Sequence, residues 1–490
     1  MPTTTTDHAS GPPRRTAPAR EPETGQGWAL GFTAAALGLL AVPAVLTVPA
    51  QAGSGELSRD ALITLLVFAG AVIGWIGNRL DDTFVALVAA AALVALGPLE
   101  PAELFAALGG NQIWLLVAAF MLAAGINRTG LPARLAVCLA ARARTPRALF
   151  HLLTLGLVST ALLIPSTSGR AALALPLHRG LAHALPRGLL RATALLLPAV
   201  VLLSAIATLV GAGAHLITSQ VLAATLGQGI GFGQWLLWGL PLAAVSSHLA
   251  AELVLLLFTT GADRRRALRV DAADLRARLE VPERMRPAEH RAAGLLGVVV
   301  LLWSTEAWHG LPPALVALAA ALLITSPGAG TVEPGAAIAE IPWSLLLFMA
   351  ATTALGGTLT HSGAAGWIAG HALIGDRPES LLIAVVLIST AAHLLVQSRS
   401  ARSSVLIPLL IPAALAVGAN PVAVAFASTA AAGFCHTLPS SAKPVAMFAR
   451  LDDGFEPRDL RRLSLLLAPA LAGLVLLFAF FVWPVLGLSL

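Results

Sequence analysis

Charge is what this chain has little of. Only 11% of its 490 residues are Asp, Glu, Lys or Arg, while 57% are hydrophobic, and mean hydropathy is +0.82. A soluble domain carries roughly a quarter charged residues, so a bilayer rather than a single buried core organises the chain. Cysteine is nearly absent as well. Cys138 and Cys435 fit no disulfide or metal-ligand spacing and read as packing residues. The sequence holds no HExxH, GxSxG or P-loop pattern, which sets aside a membrane-embedded enzyme and an ATP-driven pump built from this chain alone. The obvious acids inside apolar stretches are Glu252 and Glu306, both toward segment ends, where a cation/proton antiporter needs carboxylates deeper in the membrane. Thirty of the 31 basic residues are arginine, so Lys443 is the single lysine.

A membrane span takes about 20 apolar residues. Stretches of that kind cover 27–49, 58–78, 82–98, 111–127, 191–225, 234–258, 292–307, 311–326, 341–360, 420–448 and 462–487, about 11 spans. The N-terminal 1–26, rich in Thr, Pro and Arg, reads as a disordered tail. The apolar run that follows ends in VPAQAG like a secretory signal, but it is longer than a signal core, so 27–57 is expected to be an uncleaved first span and its outer loop. Arginines gather in the connections 128–147, 259–291 and 450–462, and are missing from 50–57, 99–110, 226–233 and 308–310. That is the positive-inside bias. It places the protein in the plasma (inner) membrane with its N-terminus cytoplasmic and its C-terminus outside. The same clustering makes the net charge of +6 a matter of topology, not of nucleic-acid binding. Trp28, Trp75, Trp114, Trp308, Trp343 and Trp483 lie near span ends, as an interfacial belt predicts.

Two further apolar pairs, 148–185 and 380–418, are interrupted by versions of one motif: STSGRAALALPL at 166–177 and SRSARSSVLIPL at 398–409. Ser166, Ser168, Arg170, Pro176 and Leu177 match Ser398, Ser400, Arg402, Pro408 and Leu409 at one offset, 232. The arms are too short to cross and return separately, so each pair reads as a re-entrant hairpin with its motif at the tip. After each hairpin comes a long segment with a weak centre, VGAGAHLITS at 210–219 and HTLPSSAKP at 436–444. Such helix breaks are tolerated where the freed backbone lines a cavity. The halves 58–258 and 292–490 are thus comparable and, by the arginine count, inverted, an arrangement that sets a substrate site midway through the membrane. The linker 259–291 is expected to hold a short charged cytoplasmic helix.

With these pieces in order, the chain resembles the divalent-anion/sodium symporters, the carriers of di- and tricarboxylates and sulfate. The resemblance spans about 58–487 and rests on GINRTGLPARLA, PSTSGRAALALPL, GIGFGQWLLWGLPLA, RSARSSVLIPLLIP and FCHTLPSSAKPVAMF. It implies an all-α fold with two hairpins and two broken helices, working as a homodimeric elevator in which those elements move against the remaining spans. That family has a Ser-Asn-Thr motif at each tip for substrate and sodium. Here the matching positions are Ser166-Thr167-Ser168 and Ser398-Arg399-Ser400, with both asparagines missing and the next family threonine replaced by Arg170 and by Arg402.

The residues themselves point to an anion. An arginine in the first turn of a helix is unfavourable by about 0.3–1 kcal/mol unless negative charge is near, and here it occurs in both halves. Serine hydroxyls and free N–H groups at Ser166, Thr167, Ser168, Gly169, Ser398 and Ser400 complete a cradle. Guanidinium grips carboxylate or sulfate with paired bonds. Arg170, Arg399, Arg402 and Lys443 are therefore expected to face a shared cavity. The expected function is secondary active transport of a small divalent oxyanion, dicarboxylate or sulfate-like. An anion channel or exchanger on the same fold, or a cation/proton antiporter of a related superfamily, is the alternative. No cofactor is expected. The coupling ion is open: sodium near Ser166, Thr167, Ser398 and Ser400, or a proton, with Gly211, Gly213, His215, His393, His436 and Ser440 as candidate coupling positions. Arg399, standing where that family holds a cation, favours sodium-independent exchange or proton coupling.

Overall fold

A computed structural model describes residues 57–490 apart from 78, 163, 372–376 and 453. The expected tail and first span, 1–56, lie outside the described residues. Every regular element among the described residues is helical. Apolar runs ended by Gly, Pro or an Asx cap dictate this. Asp81, for example, caps the helix α2 by accepting from the N–H groups of Thr83 (2.9 Å) and Phe84 (3.2 Å), and Gly97, at φ 106°, closes it in the left-handed conformation that a side chain would strain.

The main helices are α1 (Arg59–Gly77), α2 (Asp82–Leu96), α3 (Asn111–Thr129), α4 (Leu131–Ala140), α5 (Pro146–Thr160), α6 (Thr167–Leu181), α7 (Arg187–Leu203), α8 (Gly213–Leu226) and α9 (Phe232–Phe258), followed by α10 (Pro287–Ser304), α11 (Pro313–Ile324), α12 (Trp343–His361), α13 (Ala364–His371), α14 (Pro378–Ala391), α15 (Arg399–Ala416), α16 (Pro421–Ala432), α17 (Lys443–Ala449) and α18 (Pro457–Leu477). Six stretches among the described residues are long and apolar enough to cross a membrane: 59–77, 101–129, 187–207, 232–258, 343–361 and 457–482. The shorter apolar helices include α14, an arm of the second hairpin, and α16, the first piece of the second broken helix, and these do not span alone.

Both hairpins are present. Turns at 161–162 after α5 and at 395–398 before α15 mark the reversals between α5 and α6 and between α14 and α15. Both broken helices are present as well. The first runs through α7, loses regularity in 3-10 turns at Ser204–Ala207 and Leu209–Gly211, and restarts as α8. Side chains satisfy the freed backbone. Trp235 Nε1 donates to the Ile206 carbonyl (3.0 Å), Thr208 Oγ1 to Ala161 (3.1 Å) and His215 Nδ1 to Thr208 (2.9 Å). Gly211 is required here, since a Cβ would lie 2.1 Å from the Ala205 carbonyl oxygen. In the second, α16 ends at Ala432, ten irregular residues follow, and α17 starts at Lys443.

Packing brings these pieces together. The first broken helix is buried along almost its whole length, whereas α1 and α18 leave most of their apolar surface outward, as lipid-facing helices do. α8 lies against α15 and α12, α12 against α2, and α11 along α3. One hydroxyl pair, Thr218 with Thr429 at 2.7 Å, ties the two broken helices directly. Trp114, Trp308 and Trp343 are exposed as an interfacial belt requires, but Trp75 and Trp483 are buried, each donating its indole N–H to a backbone carbonyl. The linker 259–291 holds two short helices, Gly261–Arg265 and Ala272–Arg278, and is tied down by Arg134. That arginine, expected to be a solvated topology charge, is buried against Glu289.

Candidate substrate site

Six helix starts converge on one cavity of about 670 Å³: those of α2, α6, α8, α12, α15 and α17. Its lining includes Ser166, Thr167, Ser168, Gly213, Ser398, Arg399, Ser400, Ser440 and Lys443, so most of the sequence-selected polar residues meet in one place. Ser166 and Ser398 do the same local job. Each caps its helix, accepting from Gly169 N–H at 3.1 Å and from Ala401 N–H at 3.3 Å. Those caps aim two helix N-termini, with their partial positive charge, at the same volume. The two tips touch: Arg399 Nη2 donates to Thr167 Oγ1 at 3.0 Å. Gly213 lets the first broken helix approach, because a Cβ there would lie 2.8 Å from Leu345 and 3.1 Å from Ser400 Oγ.

The structure corrects one central expectation. Arg170 and Arg402 start in the first helical turn as expected, but their side chains turn away from the cavity and are buried behind it. Arg170 donates to the carbonyls of Leu157 (2.6 Å) and Val201 (3.2 Å) and to the hydroxyls of Thr160 and Ser204. Those carbonyls belong to the last turns of α5 and α7, the negative ends of two helices. The compensation that an arginine in a first turn requires thus comes from neighbouring helix ends. Arg402 repeats the pattern more thinly, with one bond to the Phe434 carbonyl at 3.2 Å past the end of α16 and no acceptor for Nε or Nη2. Both guanidiniums brace a hairpin against a broken helix.

The histidines are likewise absent from this cavity's lining. His215 supports the first helix break and shares with Arg399 a pocket of about 10 Å³, room for one water. His393 bridges Thr390 and Thr437, at 2.7 Å each. His436 is buried beside the Phe434 ring. Gly211 serves the backbone only.

Sequence reasoning missed the acids. Asp81, Asp82 and Glu340 line the cavity with Thr83, Ser344, Gln397 and Ser441. The signal was legible, since Asp-Asp opens the apolar run at 82, but a span's first residue reads as solvated. A second titratable cluster was also missed. On α5 and α9, His151 bonds His248 (2.8 Å) and Glu252 (2.5 Å), and Arg147 holds Glu252 at 2.8 Å. Among the described residues no group of His, Cys, Asp and Glu is arranged to hold a metal ion.

Paired hairpins, paired broken helices and a polar cavity between their tips define a membrane transporter of the carrier class. The citrate transporter family model matches residues 72–431, so the chain belongs to that family, within the divalent-anion carriers that its motifs resemble. The crystal structure of the Alcanivorax borkumensis YdaH transporter is similar in fold, at a TM-score of 0.53 and 17% identity, covering 78% of this chain and 89% of that one. A Cupriavidus necator protein described as a membrane protein is 23% identical over 488 residues, 93% of each chain.

Proposed function

We propose that the cavity binds a small polycarboxylate of the citrate class and that the protein moves it across the membrane as a secondary active carrier. The observation that carries this reading is the convergence of two capped helix N-termini, Arg399 and Lys443 on one cavity. Hydroxyls of Thr167, Ser168 and Ser400 supply donors for carboxylate oxygens, and Arg399 a forked pair. At about 670 Å³ the cavity suits a small ligand with part of its hydration shell.

In this reading the hairpins and broken helices move as one body against α2, α3, α11 and α12, in the elevator manner. The cavity opens to the cytoplasm: Glu340 in its lining pairs with Arg128 at 3.7 Å, and Arg128 belongs to an arginine-rich connection. Arg399 at the tip favours coupling that is independent of sodium. The test is uptake of labelled citrate into proteoliposomes, competed with succinate, sulfate and acetate, with and without sodium and with an imposed pH gradient. Saturable uptake competed by polycarboxylates and lost in Arg399→Ala supports the reading. Uptake indifferent to Arg399→Ala and to Lys443→Ala sinks it.

A further inference from the structure

An anion site with a carboxylate in its wall needs an account, and the cavity has three. Two are committed elsewhere. Asp81 spends its side chain capping α2, and Glu340 pairs with Arg128. Asp82 is different. It lines the same cavity as Ser398 and Lys443 and lies within electrostatic reach of both, so it faces the second hairpin tip and the start of α17. The backbone that carries it is held on three sides. Trp75 Nε1 donates to the Asp82 carbonyl at 3.2 Å, Asp81 caps the turn, and Thr83 Oγ1 pairs with Ser344 Oγ at 2.7 Å. A side chain so placed cannot drift out of the site with its loop.

We propose that Asp82 is a tethered competitor for the substrate: in the empty cavity its carboxylate stands beside Ser398 and offsets the charge of Lys443 across the cavity, and an entering anion must displace or outweigh it. The proposal rests on the reading of the cavity as an anion site. It gives Asp82 a role in specificity. Repulsion between Asp82 and the ligand grows with ligand charge, so the residue discriminates against the most highly charged anions while leaving weaker ones nearly untouched. Because Asp82 is on α2 and its partners are on α15 and α17, the same contact links the empty site to the wall opposite it.

The experiment is binding to purified protein at pH 7.5 by calorimetry, with citrate, succinate and acetate as probes, in wild type, Asp82→Asn, Lys443→Ala and the double variant. Asp82→Ser is the second variant should Asp82→Asn fold poorly. Removing the carboxylate is expected to tighten citrate by about tenfold and succinate by about threefold, with acetate unchanged. The gain should shrink at least threefold in the Lys443→Ala background, which a purely structural effect would not do. Equal or weaker citrate binding in Asp82→Asn, the same gain for all three probes, or a gain that persists without Lys443 overturns the proposal while leaving the anion site standing. Wild-type protein that binds none of the probes overturns the anion reading itself, and this proposal with it.

Discussion

Arg399 hydrogen-bonds Thr167 at 3.0 Å, and the two residues are 232 positions apart, the same offset that superimposes the two hairpin motifs. Each is the other's counterpart. A position that bonds its own equivalent lies where the two halves of the site face each other, so a ligand in this cavity meets both tips at once. It also means that one half contributes a hydroxyl where the other contributes a guanidinium. The two tips match in sequence position and are chemically lopsided.

That lopsidedness predicts unequal costs. Arg399→Ala removes a charged donor, and a hydrogen bond to a charged group is worth about 1.5–3 kcal/mol. Citrate uptake at limiting substrate should fall by roughly 10-fold to 100-fold. Thr167→Val removes a neutral hydroxyl, which steadies the arginine and donates to the ligand in this reading, and should lower uptake less, by about fivefold. Initial uptake rates across a substrate series separate the two. A larger loss in Thr167→Val than in Arg399→Ala would reverse the assignment.

Arg170 and Arg402 are equivalent in sequence and unequal in satisfaction. Arg170 has four acceptors, and removing it takes a charged donor from two buried carbonyls and two buried hydroxyls, although the hydroxyls keep their bonds to the Leu157 and Val200 carbonyls, so Arg170→Met should destabilise the folded protein by about 2 kcal/mol. Arg402 has one acceptor, the Phe434 carbonyl, and two buried nitrogens without any, so its burial is poorly compensated. Replacing such a group by an apolar side chain of similar length is often neutral or stabilising. Thermal unfolding in detergent should therefore show a clear drop for Arg170→Met and little change for Arg402→Met. Arg402→Met protein that is stable but cannot bind citrate would return Arg402 to the substrate site.

The helix breaks make a steric prediction. Gly211→Ala would drive a methyl group into the Ala205 carbonyl, and the carbonyl is backbone that cannot swing aside. Gly213→Ala meets the end of Leu345 and the Ser400 hydroxyl, which are side chains that have room to move. Fluorescence-detected gel filtration should show Gly211→Ala aggregating or poorly expressed, while Gly213→Ala remains monodisperse with weakened uptake. The reverse order would mean that the break is not packed as described.

These comparisons show what the sequence could carry. Hairpins, helix breaks and the six long apolar stretches were legible because apolar runs and their interruptions by Gly, Pro and Ser are local signals, and a sequence motif recurring at one offset doubles some of them. The direction of a side chain is not local. Arg170 looked like an anion ligand because its helix start demands negative charge. Only the packing shows that the ends of α5 and α7 meet the demand. Asp82 was passed over for the opposite reason: at the first residue of a span it reads as solvated, and only α15 and α17 arriving beside it make it part of a site. Trp75 and Trp483 followed the same course, amphipathic residues at span ends that find backbone carbonyls inside the protein.

The linker 259–291 offers a last test, independent of the cavity. Arg134 on α4 and Glu289 at the start of α10 form a pair with side chains only 10% and 1% exposed. Arg134 also donates to the backbone carbonyls of Glu283 (3.3 Å) and Arg284 (3.0 Å), so one guanidinium fastens the segment that joins the two halves. Truncating one partner of a buried pair leaves an uncompensated charge and costs about 3–5 kcal/mol. Glu289→Ala should accordingly melt at a markedly lower temperature and become sensitive to proteolysis between 259 and 291. Glu289→Gln keeps the acceptor and the shape but not the charge, and should fall between Glu289→Ala and wild type. The double variant Arg134→Met, Glu289→Leu removes both charges together and should recover most of the loss. If the double variant is no more stable than Glu289→Ala, the bonds from Arg134 to the linker backbone, rather than the ion pair, hold the halves in place.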